Sequence, residues 1–279
     1  MPYTEHFEFA PPRIVCHFSC GAASAVATKL VCESYPADRV VILNAFLAGE
    51  HEDNRRFLRE CSVWFDRPIT VVQDEEYGAD PYEVFRRHRF TKSRNGAKCS
   101  KVLKGNVLDQ HSFYDDVHVL GYTIEEEDRA NLYADANNGR KFLTPLIDQR
   151  LTKADCLAMI SRVPIELPMM YRMGYNNANC IGCVKGGMGY WNKIRRDFPA
   201  KFEEMARIED LIGPTAFLFR DRKTGIRYSL RELDPNAGDH NEPDISCSAA
   251  CEMVEDLIQI AVEGDHDIAG HVRVGRRNV

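Results

Sequence analysis

No apolar run in the 279-residue chain approaches the ~18 residues that a bilayer-crossing helix needs, so no membrane partner is expected. The opening Met1-Pro2-Tyr3-Thr4-Glu5-His6 lacks the basic and then apolar profile of an export signal, which makes a cytoplasmic location the expectation. Basic charge is not in excess: 36 Lys and Arg against 42 Asp and Glu leave a net charge of −6. The overall charge therefore does not point to nucleic acid. There is no internal repeat and no low-complexity tract. No Gly-Lys-Ser/Thr follows the first glycine-bearing turn, which excludes a Walker A loop. Nor does the chain need disulfide staples, because 279 residues at 44% hydrophobic can bury a core of their own.

What the chain does have is cysteine, ten in all. In a cytoplasmic protein such a number favours thiols, metal ligands or catalysis over disulfides. Cys99 stands alone in Gly96-Ala97-Lys98-Cys99-Ser100-Lys101-Val102-Leu103-Lys104. Cys180 and Cys183 form a CxxC in Asn179-Cys180-Ile181-Gly182-Cys183-Val184-Lys185-Gly186-Gly187. Cys16, Cys32, Cys61 and Cys156 fall inside predicted strands and helices, where cysteine serves as a small buried hydrophobe.

The hydrophobic pattern predicts an α/β fold with a doubly wound, mostly parallel sheet. Residues 13–18, 39–44, 68–72 and 116–120 are short β-branched apolar runs of the kind buried on both faces of a parallel sheet. Between them, residues 24–33, 53–65, 81–89 and 101–110 read as helices. Alternation of this kind implies crossovers and a ligand site beyond the carboxyl ends of the strands. After Pro145 the pattern turns helical. Thr152, with Asp155 three residues on, opens a helix to Ser161, and residues 190–211 read as a helix interrupted at Pro199. A hairpin is expected around Lys223-Thr224-Gly225. The resulting division is a nucleotide-binding core over 1–150, a helical segment over 151–213 that carries the CxxC, and a hairpin and tail over 214–279.

The turn after the first strand, Ser19-Cys20-Gly21-Ala22-Ala23-Ser24, is small enough to bring backbone N–H groups to an anion at a helix start. A strand–glycine–helix turn also occurs for packing alone. The segment resembles the SGGxDS pyrophosphate loop of the adenine-nucleotide alpha-hydrolase superfamily, and within it the chain resembles the phosphoadenosine phosphosulfate (PAPS) reductase family over about residues 13–213. Asn44-Ala45-Phe46-Leu47-Ala48-Gly49-Glu50 matches that family's second strand and acidic turn. Gly121-Tyr122-Thr123, with Glu126 and Arg129, is similar to its Gly-x-R-x-x-E-x-x-R segment. Cys99-Ser100 with Lys104 resembles the CC-x-x-R-K stretch of cluster-bearing members, and Cys180/Cys183 their second pair. The resemblance implies an adenine nucleotide (ATP, or the phosphosulfates APS and PAPS) held by Ser19, Gly21, Ala22, Ser24, Asn44 and Gly121, with Lys104 and Arg129 against phosphate. Four positions depart from the pattern: Cys20 for glycine, Ala23 for the aspartate of ATP-cleaving members, Ser100 for the second cysteine and Leu103 for arginine.

Iron–sulfur clusters take thiolates from several segments, commonly a CxxC and a distant cysteine. Cys99, Cys180 and Cys183 would supply three ligands to a [4Fe–4S] cluster and leave one iron open for sulfur. Zinc is the alternative metal, since CxxC is also its usual half-site. Cys247 or Cys251 would be a fourth ligand, a sulfur relay, or a catalytic nucleophile, for Asp244-Ile245-Ser246-Cys247 loosely resembles the family's tail cysteine. Local basic charge (Arg86, Arg87, Arg89, Lys92, Arg94, Lys98, Lys101 and Lys104) surrounds Cys99 and suits a polyanion. The expected function is sulfur transfer or sulfonucleotide reduction by an iron–sulfur enzyme. The alternatives are thiolation of a tRNA or DNA base, and a non-catalytic zinc-stabilised nucleic-acid-binding module. A thiol or electron-donor protein would be a further partner, and a homo-oligomer is compatible with the sequence.

Overall fold

The computed structural model describes residues 11–93, 96–239 and 245. Five parallel strands make the central sheet: β1 (Ile14–His17), β2 (Val40–Ala45), β3 (Thr70–Val72), β4 (Val117–Val119) and β5 (Lys141–Leu143). Their spatial order is β3-β2-β1-β4-β5. The chain winds outward from β1 to β3, then returns to place β4 on the other side of β1. Register is regular, with Cys16 beside Ile42 on one side and Val119 on the other. Helices flank the sheet, an arrangement compatible with a doubly wound α/β fold. Four of the strands follow from the sequence pattern. The fifth does not, because Lys141-Phe142-Leu143 is three residues long and shows no alternation.

Alternate residues of β1 separate two packing layers, as a strand's period of two requires. Ile14, Cys16 and Phe18 face α1 (Ala22–Ser34) and α2 (Asn54–Phe65), and join Phe57, Cys61 and Phe65 in the largest core. Val15 faces the other way, with Leu43, Ala45, Val107 and Leu108. Cys16, Cys32, Cys61 and Cys156 are all buried. The helix Lys153–Ser161 (α5) adds Cys156 and Ile160 to this first core. Its start is the expected capping box, in which Thr152 accepts from the Asp155 N–H and Asp155 from the Thr152 N–H.

A second core joins α3 (Pro81–His88) to α6 (Met188–Asp197) and α7 (Pro199–Ile212), with Trp191, Ile194, Met205 and Ile208 at its centre. It draws Tyr82 and Phe85 from before residue 150, so the two cores interleave along the chain. Between α3 and β4 the backbone forms a short helix at Lys98–Ser100, a π-turn at Lys101–Gly105 and a helix at Asn106–Gln110. The helix Glu127–Ala136 (α4) lies between β4 and β5. The expected hairpin is shorter than its pattern, Phe219–Arg220 against Arg227–Tyr228, with Asp221 capping the turn by accepting from the Lys223 and Thr224 N–H groups. No helix among the described residues is long and apolar enough to cross a membrane.

At the amino ends of the strands, Arg13 and the buried Asp116 form a bidentate pair at 2.9 and 2.7 Å. Burial alone would raise the Asp116 carboxyl. The Arg13 guanidinium and the Phe113 N–H outweigh it and hold the group below the usual carboxylate range.

Candidate functional site

The strand order reverses between β1 and β4, and a cavity of about 520 Å³ opens at the carboxyl ends of those strands. That volume lies within the range of small-molecule sites, and the position is the one that an open α/β sheet offers a ligand. Ser19, Gly21 and Ser24 from the first turn line it, as do Gly121 after β4 and Lys104 from the π-turn. Gly121 is needed for close approach: a Cβ there would stand 3.1 Å from the Ser24 Cα. Ser24 organises the turn by accepting from the Ser19 N–H at 3.2 Å and donating to the Gly21 carbonyl at 3.0 Å. Cys20, where the resembled loop has glycine, sits in the left-handed region at φ 57 with its side chain buried. A non-glycine residue holds that conformation at a cost of roughly 1 kcal/mol.

The remaining expected nucleotide residues have other surroundings. The Ala22 N–H donates to the Tyr171 hydroxyl at 3.2 Å, so one donor of the turn is already engaged. Asn44 is buried below the cavity and donates to the Phe18 carbonyl at 2.8 Å, bracing the turn from beneath. Arg129 lies on α4, pairs with Glu126 at 3.1 Å and stacks 5.3 Å from the Tyr122 ring. Glu126 and Tyr122, not Arg129, line the cavity. Lys104 lines it while pairing with Glu50 at 3.5 Å; both are nearly buried. Burial raises the Glu50 carboxyl against the opposing pull of Lys104 and Asn54.

Several cavity residues escaped the sequence reading. Tyr171, on the short helix Met169–Arg172, and Asn177 come from distant segments and have no motif, and Asn179 immediately precedes the CxxC. The Asn177 and Asn179 amides both donate to the Ile245 carbonyl, at 3.2 and 2.6 Å. His17 was legible only as an isolated histidine in an apolar strand. Its Nε2 lies 3.1 Å from Nδ1 of His118 on β4. Burial, then His118, lowers the His17 pKa to about 4.

A second, smaller cavity of about 20 Å³ brings Cys99, Cys180 and Cys183 together from their separate segments. Its walls are Leu47, Pro81, Tyr82, Phe85 and Val184. The CxxC loop is fixed by Tyr190, whose hydroxyl accepts from the Gly182 and Cys183 N–H groups at 3.0 Å each and donates to the Cys180 carbonyl at 3.1 Å. The glycines after the CxxC have a packing role: a Cβ on Gly186 would strike the Tyr190 ring. Three thiols in an apolar enclosure, beside a buried Tyr82 hydroxyl with no hydrogen-bond partner among the described residues, are a donor set of the kind a thiophilic metal takes. Among the described residues no three His, Cys, Asp or Glu side chains stand at ligating distance from one another. Three thiols are the donor chemistry that a cluster takes, but as placed here they do not make a group that could hold a metal ion. Cys247 and Cys251 lie outside the described residues, as does Arg94.

Much of the expected basic patch is neutralised within the fold. Arg86 pairs with Glu83 and Asp80, Arg87 with Glu83 and Glu76, and Arg89 donates to the Leu211 and Ile212 carbonyls. Lys92 is drawn toward the thiol cavity, where burial lowers its pKa and Cys183 opposes that fall.

Comparison with protein-family models, with curated proteins and with solved structures finds no match to this chain.

Proposed function

We propose that this chain is an adenine-nucleotide-binding iron–sulfur enzyme of the PAPS-reductase type, acting in sulfur transfer or sulfonucleotide reduction. The observation that carries the reading is a shared wall. The segment from Cys99 to Lys104 supplies a thiol to the small cavity and an ammonium to the large one. The segment from Asn177 to Val184 does the same, with Asn177 to Asn179 in one cavity and Cys180 to Val184 in the other. A nucleotide and a sulfur-binding centre would thus lie on opposite sides of one thin partition.

In this reading the 19–24 turn and Lys104 bind phosphate, using the helix start and one buried cation. Gly121 allows the strand end to approach that turn. Cys99, Cys180 and Cys183 would hold a [4Fe–4S] cluster, which when bound supplies a soft, redox-active centre for sulfur. Tyr190 orients the CxxC backbone; Cys183 is buried, while Cys99 and Cys180 are half-buried. A thiol or an electron-donor protein would supply reducing equivalents. Ala23, in place of an acidic loop residue, favours a nucleotide that arrives already activated. The acidic partners of Arg86 and Arg87 (Glu76, Asp80 and Glu83) offset part of the local positive charge, which disfavours RNA or DNA, whose backbone would need many uncommitted cations.

Anaerobic purification with iron and zinc analysis, and calorimetry with ATP, AMP, APS and PAPS, test the two halves separately. Iron with broad absorption near ~400 nm is expected, together with binding of at least one nucleotide. Stoichiometric zinc without iron would remove the cluster, and absence of all nucleotide binding would remove the adenine-nucleotide site.

A further inference from the structure

His17 lines the large cavity, whose lining also includes Leu43, Ala45, Leu108 and Tyr133. Among the described residues its ring makes one hydrogen bond, through Nε2 to His118. Nδ1 is therefore left for whatever fills the cavity. His118 is 3% exposed and packs against Phe142 with ring centroids 6.2 Å apart. It is a fixed partner, not a mobile one.

One hydrogen lies between the two facing nitrogens, and its position decides what His17 presents. With the hydrogen on His17 Nε2, neutral His17 offers an acceptor at Nδ1. With the hydrogen on His118 Nδ1, neutral His17 offers an N–H there. Either way His17 adds a single directional group to a lining that is apolar at Leu43, Ala45 and Leu108. Such a lining suits the uncharged, planar part of a ligand. An amino purine and an oxo purine differ by exchanging a donor for an acceptor at the ring edge. A site that holds one tautomer accepts one of them and leaves an unpaired polar atom against the other.

We propose that His17 reads the edge of the nucleobase and that His118 is the positioning residue that sets its tautomer, so that the pair distinguishes an amino purine from an oxo purine. This rests on the nucleotide reading of the cavity. The test is calorimetry of the full chain with ATP and with inosine triphosphate, which differ in the group at carbon 6 and in whether N1 carries a hydrogen. With the hydrogen on His17 Nε2, so that Nδ1 accepts from the amino group, the wild type should prefer ATP at least about tenfold, a difference of about 1.4 kcal/mol. His17→Phe should bring the two affinities within about twofold of each other while leaving that for inosine triphosphate within about twofold of wild type. His118→Phe should also narrow the preference, and nitrogen-15 spectra should show a changed tautomer ratio at His17, which a packing role alone would not produce. Should either variant not fold, the same spectra on the wild type serve: ATP should shift His17 Nδ1 and inosine triphosphate should shift it less. A wild-type preference under twofold, an undiminished preference in His17→Phe, or no shift at Nδ1 would overturn the proposal and leave the nucleotide site standing. Failure of the wild type to bind ATP or inosine triphosphate would overturn this proposal, and failure to bind AMP, APS and PAPS as well would overturn the nucleotide reading with it.

Discussion

The two cavities use the same two chain segments and are built in opposite ways. The larger, at about 520 Å³, rests on strand ends and is lined by a polar turn, two lysines and two glutamates. The smaller, at about 20 Å³, rests on α3, the short helix Lys98–Ser100 and the CxxC loop, and is closed in part by aromatic and aliphatic side chains of the second core. A ligand that exchanges needs an opening and donors for its charge, whereas a resident metal group needs enclosure and soft donors. Strand ends serve the first because sheet register fixes them rigidly. Helices and a loop serve the second because ligands from distant segments have to converge, and a separate core has to hold them there.

The sharpest way to separate the cavities is to remove one without the other. Cys183→Ala should abolish bound iron and its colour, while Cys61→Ala, in the first core, should keep both; metal analysis of anaerobic protein decides. Iron retained in Cys183→Ala would mean that the small cavity holds no cluster. Next in size, Ser24→Glu sets a carboxylate against phosphate at the helix start and should weaken nucleotide binding at least about 100-fold by calorimetry, with iron unchanged.

A control sits at the opposite, amino end of the central strands. Asp116→Ala breaks the buried pair with Arg13 and should cost about 2–3 kcal/mol in urea unfolding, without changing the affinity of the folded protein for ATP. Lys104→Met tests the shared wall directly. It should weaken ATP binding about tenfold and leave iron content alone. Loss of iron in that variant would mean that the partition, not the cation, is what Lys104 maintains.

A last expected effect concerns pH. His17 titrates at about 4 in the fold, below its ordinary ~6.5. Between those values the unfolded chain binds the extra proton and the folded chain does not. Stability is therefore complete above about pH 6.5 and declines as pH falls toward 4. The loss should be about 2 kcal/mol at pH 5 relative to pH 7, and smaller in His17→Phe. His118, Asp109, Arg140 and Asp116 all face this ring, so the comparison with the variant isolates its share. An identical pH profile in both proteins would show that His17 does not carry the change.

Local pattern determined much of the frame. Apolar β-branched runs placed β1 to β4, the Thr152–Asp155 pair placed α5, and the small residues after Phe18 placed a tight turn beyond β1. These are short-range properties, set by backbone sterics and by which side chains must leave water. The same logic put Cys16, Cys32, Cys61 and Cys156 in the interior, and it singled out Cys99, Cys180 and Cys183 as thiols that no strand or helix face required.

Only the tertiary structure decided what those pieces do together. It added β5, which three residues could not announce, and it gave the Arg86 and Arg87 charges to Glu83 and its neighbours. It turned Arg129 toward Glu126, engaged the Ala22 N–H with Tyr171, and set Asn44 under the turn as a brace. It also brought His17 beside His118, and Cys99 into one enclosure with Cys180 and Cys183. Each of these depends on side chains from distant segments meeting at a few ångströms. A sequence records the residue types available for such meetings, but the distances arise only when sheet order and core packing fix every backbone segment at once.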